Sequence, residues 1–326
     1  MVSGKSERVI VPINESANDK ANLAPAFYCV HSLSGASGSD FLDLARHLDG
    51  AIRFFGIQAP PKRTGNPEFG NSIPLLAEYY ANAVVEAQPS GPIILGGWSA
   101  GATIALAVAK NLRGRGRKID LIVAIDGAPE NTHAALSPLD PRYLVEAAEI
   151  LPSWLLSTVV QRNELPPLIA KHTSRAIGKV RELVRPRQDS HAVADEEPQE
   201  LFLGFNRYPL KQRIFMKRLY DAIFDYMPEA YDGDVVVYES KICSPFNLPQ
   251  FGRIWRSIAP SSDTVRVDGT HLSILKDPIV RTIARDIIYR ISMINDRRVY
   301  DDRDGGDGNP VASAQHIDAA PPPPAS

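Results

Sequence analysis

The sequence predicts an α/β fold, with a mostly parallel central sheet, helices on both faces and a helical lid inserted late in the chain. Three observations carry this expectation. From Ala26 to about residue 129, short apolar segments rich in β-formers alternate with amphipathic segments of helical period. The strand segments are apolar on both faces, above all Leu121-Ile122-Val123-Ala124-Ile125, as strands covered from both sides must be. The alternation lapses over residues 130–231 and then resumes, so the interruption reads as an insertion into one domain rather than a second domain.

Taken in order, residues 1–24 are polar and uneven and are expected to form a flexible leader outside the core. Ala26-Phe27-Tyr28-Cys29-Val30 is the first core strand, ended by the turn-forming run His31-Ser32-Leu33-Ser34-Gly35. Asp40 to Leu48 reads as a helix with Phe41, Leu44, Ala45 and Leu48 on one face. Ile52 to Ile57 is a strand, Leu75 to Ala87 a helix, Ile93 to Gly96 a strand and Thr103 to Leu112 a helix. After Leu121 to Ile125, the inserted block reads as mostly helical, broken by Glu164-Leu165-Pro166-Pro167 and Asp195-Glu196-Glu197-Pro198. Strands return at Asp234 to Tyr238 and Thr264 to Val267, and a last helix covers Pro278 to Ile294. The domain is thus expected over 25–295. Residues 296–326, acidic, Gly-rich and with four prolines at 321–324, are expected to be a disordered tail.

Composition narrows the function. With 36 basic and 38 acidic side chains the net charge is −2, which gives no electrostatic footprint for nucleic acid or an anionic membrane. The uncharged apolar run Ile93 to Ala109 has Gly96-Gly97-Trp98-Ser99-Ala100-Gly101 at its centre and reads as strand, turn and helix rather than a membrane span. The N-terminus lacks an export signal, and two cysteines, Cys29 and Cys243, suit a reducing compartment, so the protein is expected in the cytoplasm.

The chemistry concentrates in a few residues. Gly97-Trp98-Ser99-Ala100-Gly101 fits G-x-S-x-G between a strand and a helix, where a sharp turn exposes a serine nucleophile and glycines avoid backbone collisions. A serine needs a base, and the base needs an orienting acid. His271, in Asp268-Gly269-Thr270-His271-Leu272 after a late strand, is the expected base. His31 also follows a strand and is read as shaping the neighbouring loop. Asp126 ends the strand after the elbow helix and is the expected acid, with Glu239, after the next strand, in reserve. The order Ser99, Asp126, His271 is that of the α/β-hydrolases. Backbone N–H groups of Ala100 and Leu33 are the expected oxyanion donors. No metal or cofactor is called for.

Several segments together resemble the thioesterase domains of non-ribosomal peptide and polyketide synthases. They are Tyr28-Cys29-Val30-His31-Ser32, Ile57-Gln58-Ala59-Pro60, Gln88-Pro89-Ser90-Gly91-Pro92, Leu95-Gly96-Gly97-Trp98-Ser99-Ala100-Gly101, Asp126, and Gly269-Thr270-His271-Leu272-Ser273-Ile274-Leu275. The likeness spans roughly 25–295 and is weakest over 130–200. An acid 27 residues after the serine is a spacing that chain-releasing members favour. The resemblance implies that Ser99 takes an acyl chain from a phosphopantetheine thioester on an acyl or peptidyl carrier protein, and that hydrolysis or cyclisation releases it. The basic run over 171–187 would suit an acidic carrier protein, or else forms a solvated helix face. A carboxylesterase or lipase acting on free oxygen esters would use the same three residues, and a non-catalytic binding protein could share the fold.

Overall fold

The computed structural model describes residues 8–19, 24–59, 68–129, 132, 135–160, 208–245 and 248–304. The basic run over 171–187 and the Pro-rich breaks at 164–167 and 195–198 lie outside them. The chain divides into two compact units, Met1–Ile288 and Tyr289–Ser326.

The elements in order are β1 (Ile10–Pro12), α1 (Glu15–Asn18), β2 (Ala26–Val30), α2 (Leu42–Leu48), β3 (Arg53–Ile57), α3 (Ile73–Ala87), β4 (Ile93–Trp98), α4 (Ala100–Gly114), β5 (Ile119–Ile125), α5 (Pro141–Val160), α6 (Leu210–Asp225), β6 (Val235–Ser240), α7 (Phe251–Ile258), β7 (Ser262–Val267) and α8 (Val280–Asp304). The strands form one seven-stranded sheet in the order β1-β3-β2-β4-β5-β6-β7, parallel except where β1 runs antiparallel along β3. Every residue of β2, β5 and β6 is buried, as double-sided covering requires.

Alternate residues of each strand serve opposite faces. Tyr28 and Val30 pack in the cluster that holds the buried side chains of α3 and α4. On the other face Phe27 meets Phe54 at 5.0 Å between centroids, and Phe54 meets Phe41 at the start of α2. Helix α3 buries Ile73, Leu76, Ala77, Tyr80, Ala81 and Val84, a spacing that gathers them on one face. Its start is capped by Ser72, whose hydroxyl accepts from Leu75 N–H, with Pro74 in the first turn. Helix α4 is buried almost all round from Gly101 to Ala109, which its run of alanines permits beneath two neighbours.

The leader is corrected in part. Ile10-Val11-Pro12 is the edge strand β1, registered on Ile57, Gly56 and Phe55. Asn14 anchors it: Nδ2 donates to Ile52 O at 2.8 Å, while Oδ1 accepts from Phe54 N–H and caps α1 through Ala17 N–H. Pro12 is tolerated because it lies on an edge. The tail expected from residue 296 is corrected over its first residues, since α8 continues to Asp304; residues 305–326 lie outside the described residues. Within the inserted block the described residues are helical in α5 and α6, as expected. No helix among the described residues is long and apolar enough to cross a membrane.

Candidate active site

The parallel sheet brings the carboxyl ends of β2, β4, β5 and β6 to one edge, where loops of different strands meet. Ser99 turns the chain from β4 into α4 with φ 57° and ψ −125°, a conformation that costs a non-glycine residue energy and is held by its surroundings. Its N–H donates to Ile125 O at 2.9 Å, and its carbonyl accepts from Ala102 N–H. The glycines are required by space. A Cβ on Gly97 would lie 2.1 Å from Gly101 carbonyl atoms, and one on Gly101 would lie 2.5 Å from Val30 O and 2.6 Å from His31 O. Helix α4 begins at Ala100, three residues earlier than its sequence pattern indicates, so Ser99 stands directly at the helix N-terminus.

Asp126, at the end of β5, is 2% exposed. Its Oδ2 lies 2.7 Å from His271 Nδ1, which therefore carries the proton and leaves Nε2 as the ring's acceptor. Ser240, at the end of β6, grips the same carboxylate twice: its N–H donates to Oδ1 at 2.7 Å and its hydroxyl to Oδ2 at 3.0 Å. The next residue, Gly127, would place a Cβ 2.1 Å from Ser99 O, and its own carbonyl accepts from Trp255 Nε1 at 2.8 Å. The β5 end and the Ser99 turn are thus packed backbone against backbone. The Trp98 ring stacks on His271 at 5.1 Å and 28°. Glu239, the reserve acid, is engaged elsewhere: it accepts from Gly252 N–H at 3.0 Å and lies 3.5 Å from Arg266 Nε. Burial pushes its carboxyl upward from the ordinary range.

The loop after β2 forms the opposite wall. Leu33 and Ala100 line one cavity, and among the described residues no hydrogen bond occupies either N–H. His31 braces this loop from below. Nδ1 contacts the Ser32 carbonyl, an acceptor, so Nδ1 bears the proton and Nε2 accepts from Tyr80 O–H at 2.6 Å. Desolvation holds the buried imidazole neutral and lowers its pKa to about 4. Helix α6 clamps the loop from above: Gln212 Nε2 donates to Ser34 O at 2.7 Å, and Phe215 fills the space beside Gly35 and Gly70.

The cavity measures about 510 Å³ and is lined by Ser99, Asp126 and His271 together with Leu33 and Ala100. Helix α6 supplies Met216, Tyr220, Ile223 and Phe224, whose spacing puts all four on one helical face. A larger cavity of about 1040 Å³ lies behind Glu239, between α5 and α7, and contains neither Ser99 nor His271.

A family model described as "Thioesterase domain" matches residues 25–203, more than half of the chain. The chain belongs to the thioesterase domain family. Enterobactin synthase component F of Escherichia coli (strain K12) is 32% identical to this thioesterase domain over 126 residues, which are 37% of this chain and 10% of that protein. Chondramide synthase cmdD of Chondromyces crocatus is 24% identical over 291 residues, 85% of this chain and 7% of that one. The chain therefore spans a tenth or less of these curated relatives. The NocB thioesterase domain from the nocardicin cluster superposes with a TM-score of 0.54 at 17% identity, covering 87% of this chain and 99% of that chain. At that identity the likeness is one of fold, the α/β-hydrolase fold of thioesterase domains.

The thioesterase domain thus gathers Ser99, Asp126, His271, Leu33 and Ala100 about one cavity and sets Glu239 apart. Sequence reasoning missed Ser240 and Trp98. Ser240 reaches Asp126 only through the pairing of β5 with β6, which no local pattern records. Trp98 is adjacent to Ser99, but nothing in its neighbours reveals that it faces His271. Asp40 and the α6 aromatics of the cavity were missed as well.

Proposed function

We propose that this chain is an acyl thioesterase that releases a peptidyl or polyketide chain from the phosphopantetheine arm of a carrier protein, through an acyl-Ser99 intermediate. The observation that carries the reading is the 2.7 Å contact between His271 Nδ1 and Asp126, in a chain of this family, on the wall of the cavity that also holds Ser99. His271 Nε2 takes the proton of the Ser99 hydroxyl as Oγ attacks the thioester carbon. The N–H groups of Leu33 and Ala100 receive the oxyanion. The C–S bond breaks, the proton passes from His271 to the departing thiolate, and the acyl group stays on Ser99. Water, or a nucleophile within the chain, then gives its proton to His271 and attacks the ester. The C–O bond breaks, Ser99 regains its proton, and an acid or a ring departs. Asp126 orients the ring and offsets the charge that forms on it. No metal or cofactor enters this scheme.

Two supports add to this. The apolar face of α6 is suited to an acyl chain, and the relatives include a dimodular nonribosomal peptide synthase of Bacillus subtilis and a non-reducing polyketide synthase of Cladosporium cladosporioides. A serine-directed phosphonate followed by intact-mass measurement tests the nucleophile, and thiol release from acyl-pantetheine thioesters tests the reaction. The expected result is a single adduct on the wild-type chain and none on Ser99→Ala, with thioester turnover lost in Ser99→Ala and His271→Ala. Equal labelling of Ser99→Ala overturns the reading. Turnover of nitrophenyl esters without any thioester turnover replaces it with a carboxylesterase.

A further inference from the structure

The cavity carries a charge that this chemistry leaves unused. Its walls are apolar and aromatic on the α6 side, through Met216, Tyr220, Ile223 and Phe224, and polar on the side of the loop after β2. Among the described lining residues there is no lysine and no arginine, and Asp126 and His271 partner each other. The remaining carboxylate is Asp40, just ahead of α2.

Its hydrogen-bond partners are neutral. Ser32 Oγ donates to Oδ2 at 2.7 Å, and Ser39 Oγ reaches Oδ1 at 3.4 Å. Lys276 exerts some field on Asp40, but its ammonium bridges Asp43 at 3.6 Å. Burial dominates over these donors and pushes the Asp40 carboxyl upward from its ordinary range. A half-buried carboxylate whose hydrogen bonds come from hydroxyls gains from a cation brought to it.

We infer that Asp40 is a recognition site for a cationic group, a protonated amine or guanidinium, on an acyl chain whose apolar or aromatic body lies against α6. This rests on the cavity being the acyl site of the proposed thioesterase and names the class of chain that the site selects. The competing role for Asp40 is a brace: through Ser32 it helps to shape the loop that presents Leu33. Charge and brace are separable, because an asparagine at this position still accepts from Ser32 Oγ but no longer attracts a cation.

The test compares pantetheine thioesters of ε-aminocaproate and heptanoate, which differ by ammonium against methyl, using thiol release corrected for the uncatalysed rate. For the wild-type chain the cationic thioester is expected to show a kcat/KM about 10- to 100-fold above the neutral one, the range of a hydrogen bond to a charged partner. In Asp40→Asn that ratio falls to near one, and in Asp40→Glu the preference is retained in part. A wild-type ratio at or below one overturns the inference, as does an equal loss on both thioesters in Asp40→Asn, which marks a brace. Failure of the thioesterase reading looks different, because then neither thioester is turned over by the wild-type chain.

Discussion

Acidification should unfold this domain earlier than its surface carboxylates alone would dictate, and His31 is the reason. The side chain is fully buried between the loop after β2 and α3, neutral, with both ring nitrogens engaged. Protonation would strip Nε2 of its ability to accept from Tyr80 and bury a charge. In the unfolded chain the imidazole titrates near 6.5, whereas in the folded domain burial lowers its pKa to about 4. Between these values the unfolded state binds more protons, so stability rises with pH across this window. The contribution of His31 is complete above the unfolded value and is lost as pH falls towards the folded one. At 1.36 kcal/mol per unit, the loss reaches about 2 kcal/mol at pH 5 and about 3 kcal/mol near pH 4. Denaturant unfolding at a series of pH values, in the wild-type chain and in His31→Gln, isolates this from the other titrating groups. Glutamine can donate and accept in the same place but does not titrate here. The wild-type curve should fall more steeply between pH 6.5 and 4, by about 3 kcal/mol in total. Parallel curves would refute the buried neutral histidine.

Asp126→Asn should lower kcat by roughly 10³- to 10⁴-fold, since the amide presents the wrong partner to Nδ1, whereas Glu239→Gln should cost less than about tenfold; thiol-release kinetics decide, and the opposite order would return the acid to β6. Ser240→Ala removes one charge-assisted hydrogen bond from Asp126 and leaves the backbone one, so kcat/KM should drop roughly tenfold or more, with Ser240→Thr recovering most of it. Gly101→Ala forces a methyl against Val30 O and His31 O, both backbone atoms that cannot turn aside. It should destabilise by about 1–3 kcal/mol in a thermal melt, and an unchanged melting temperature would contradict the packing of the elbow.

How much of this was legible in the sequence follows from the range over which each decision is made. The Ser99 turn is a local matter: strand, Gly97, Ser99, Gly101 and helix are contiguous, and the collisions that demand glycine arise among residues of that turn and its immediate neighbour strand. The core strands are legible because a doubly covered strand has nowhere to place a polar side chain, and β5 is apolar but for Asp120. The edge strand β1 was not, because three residues with a proline carry almost no periodicity, and their pairing depends on β3, more than forty residues away.

The choice between Asp126 and Glu239 shows where local reading stops. Asp126 follows β5 and Glu239 is the last residue but one of β6, so both lie at the same edge of the sheet. Pairing aligns Ile125 with Tyr238, so Asp126 stands level with Glu239. Level is not facing, however. Successive residues of a strand point to opposite sides, and on β6 it is Ser240 whose hydroxyl reaches Asp126, while Glu239 turns to Gly252 and Arg266. Positive φ at Asp126, 46°, swings its own carboxylate out of the strand pattern towards His271. Asp126, rather than Glu239, is therefore set against His271 by the parity of β6 and one unusual backbone angle at the end of β5. Neither is written in the identity of the carboxylate itself.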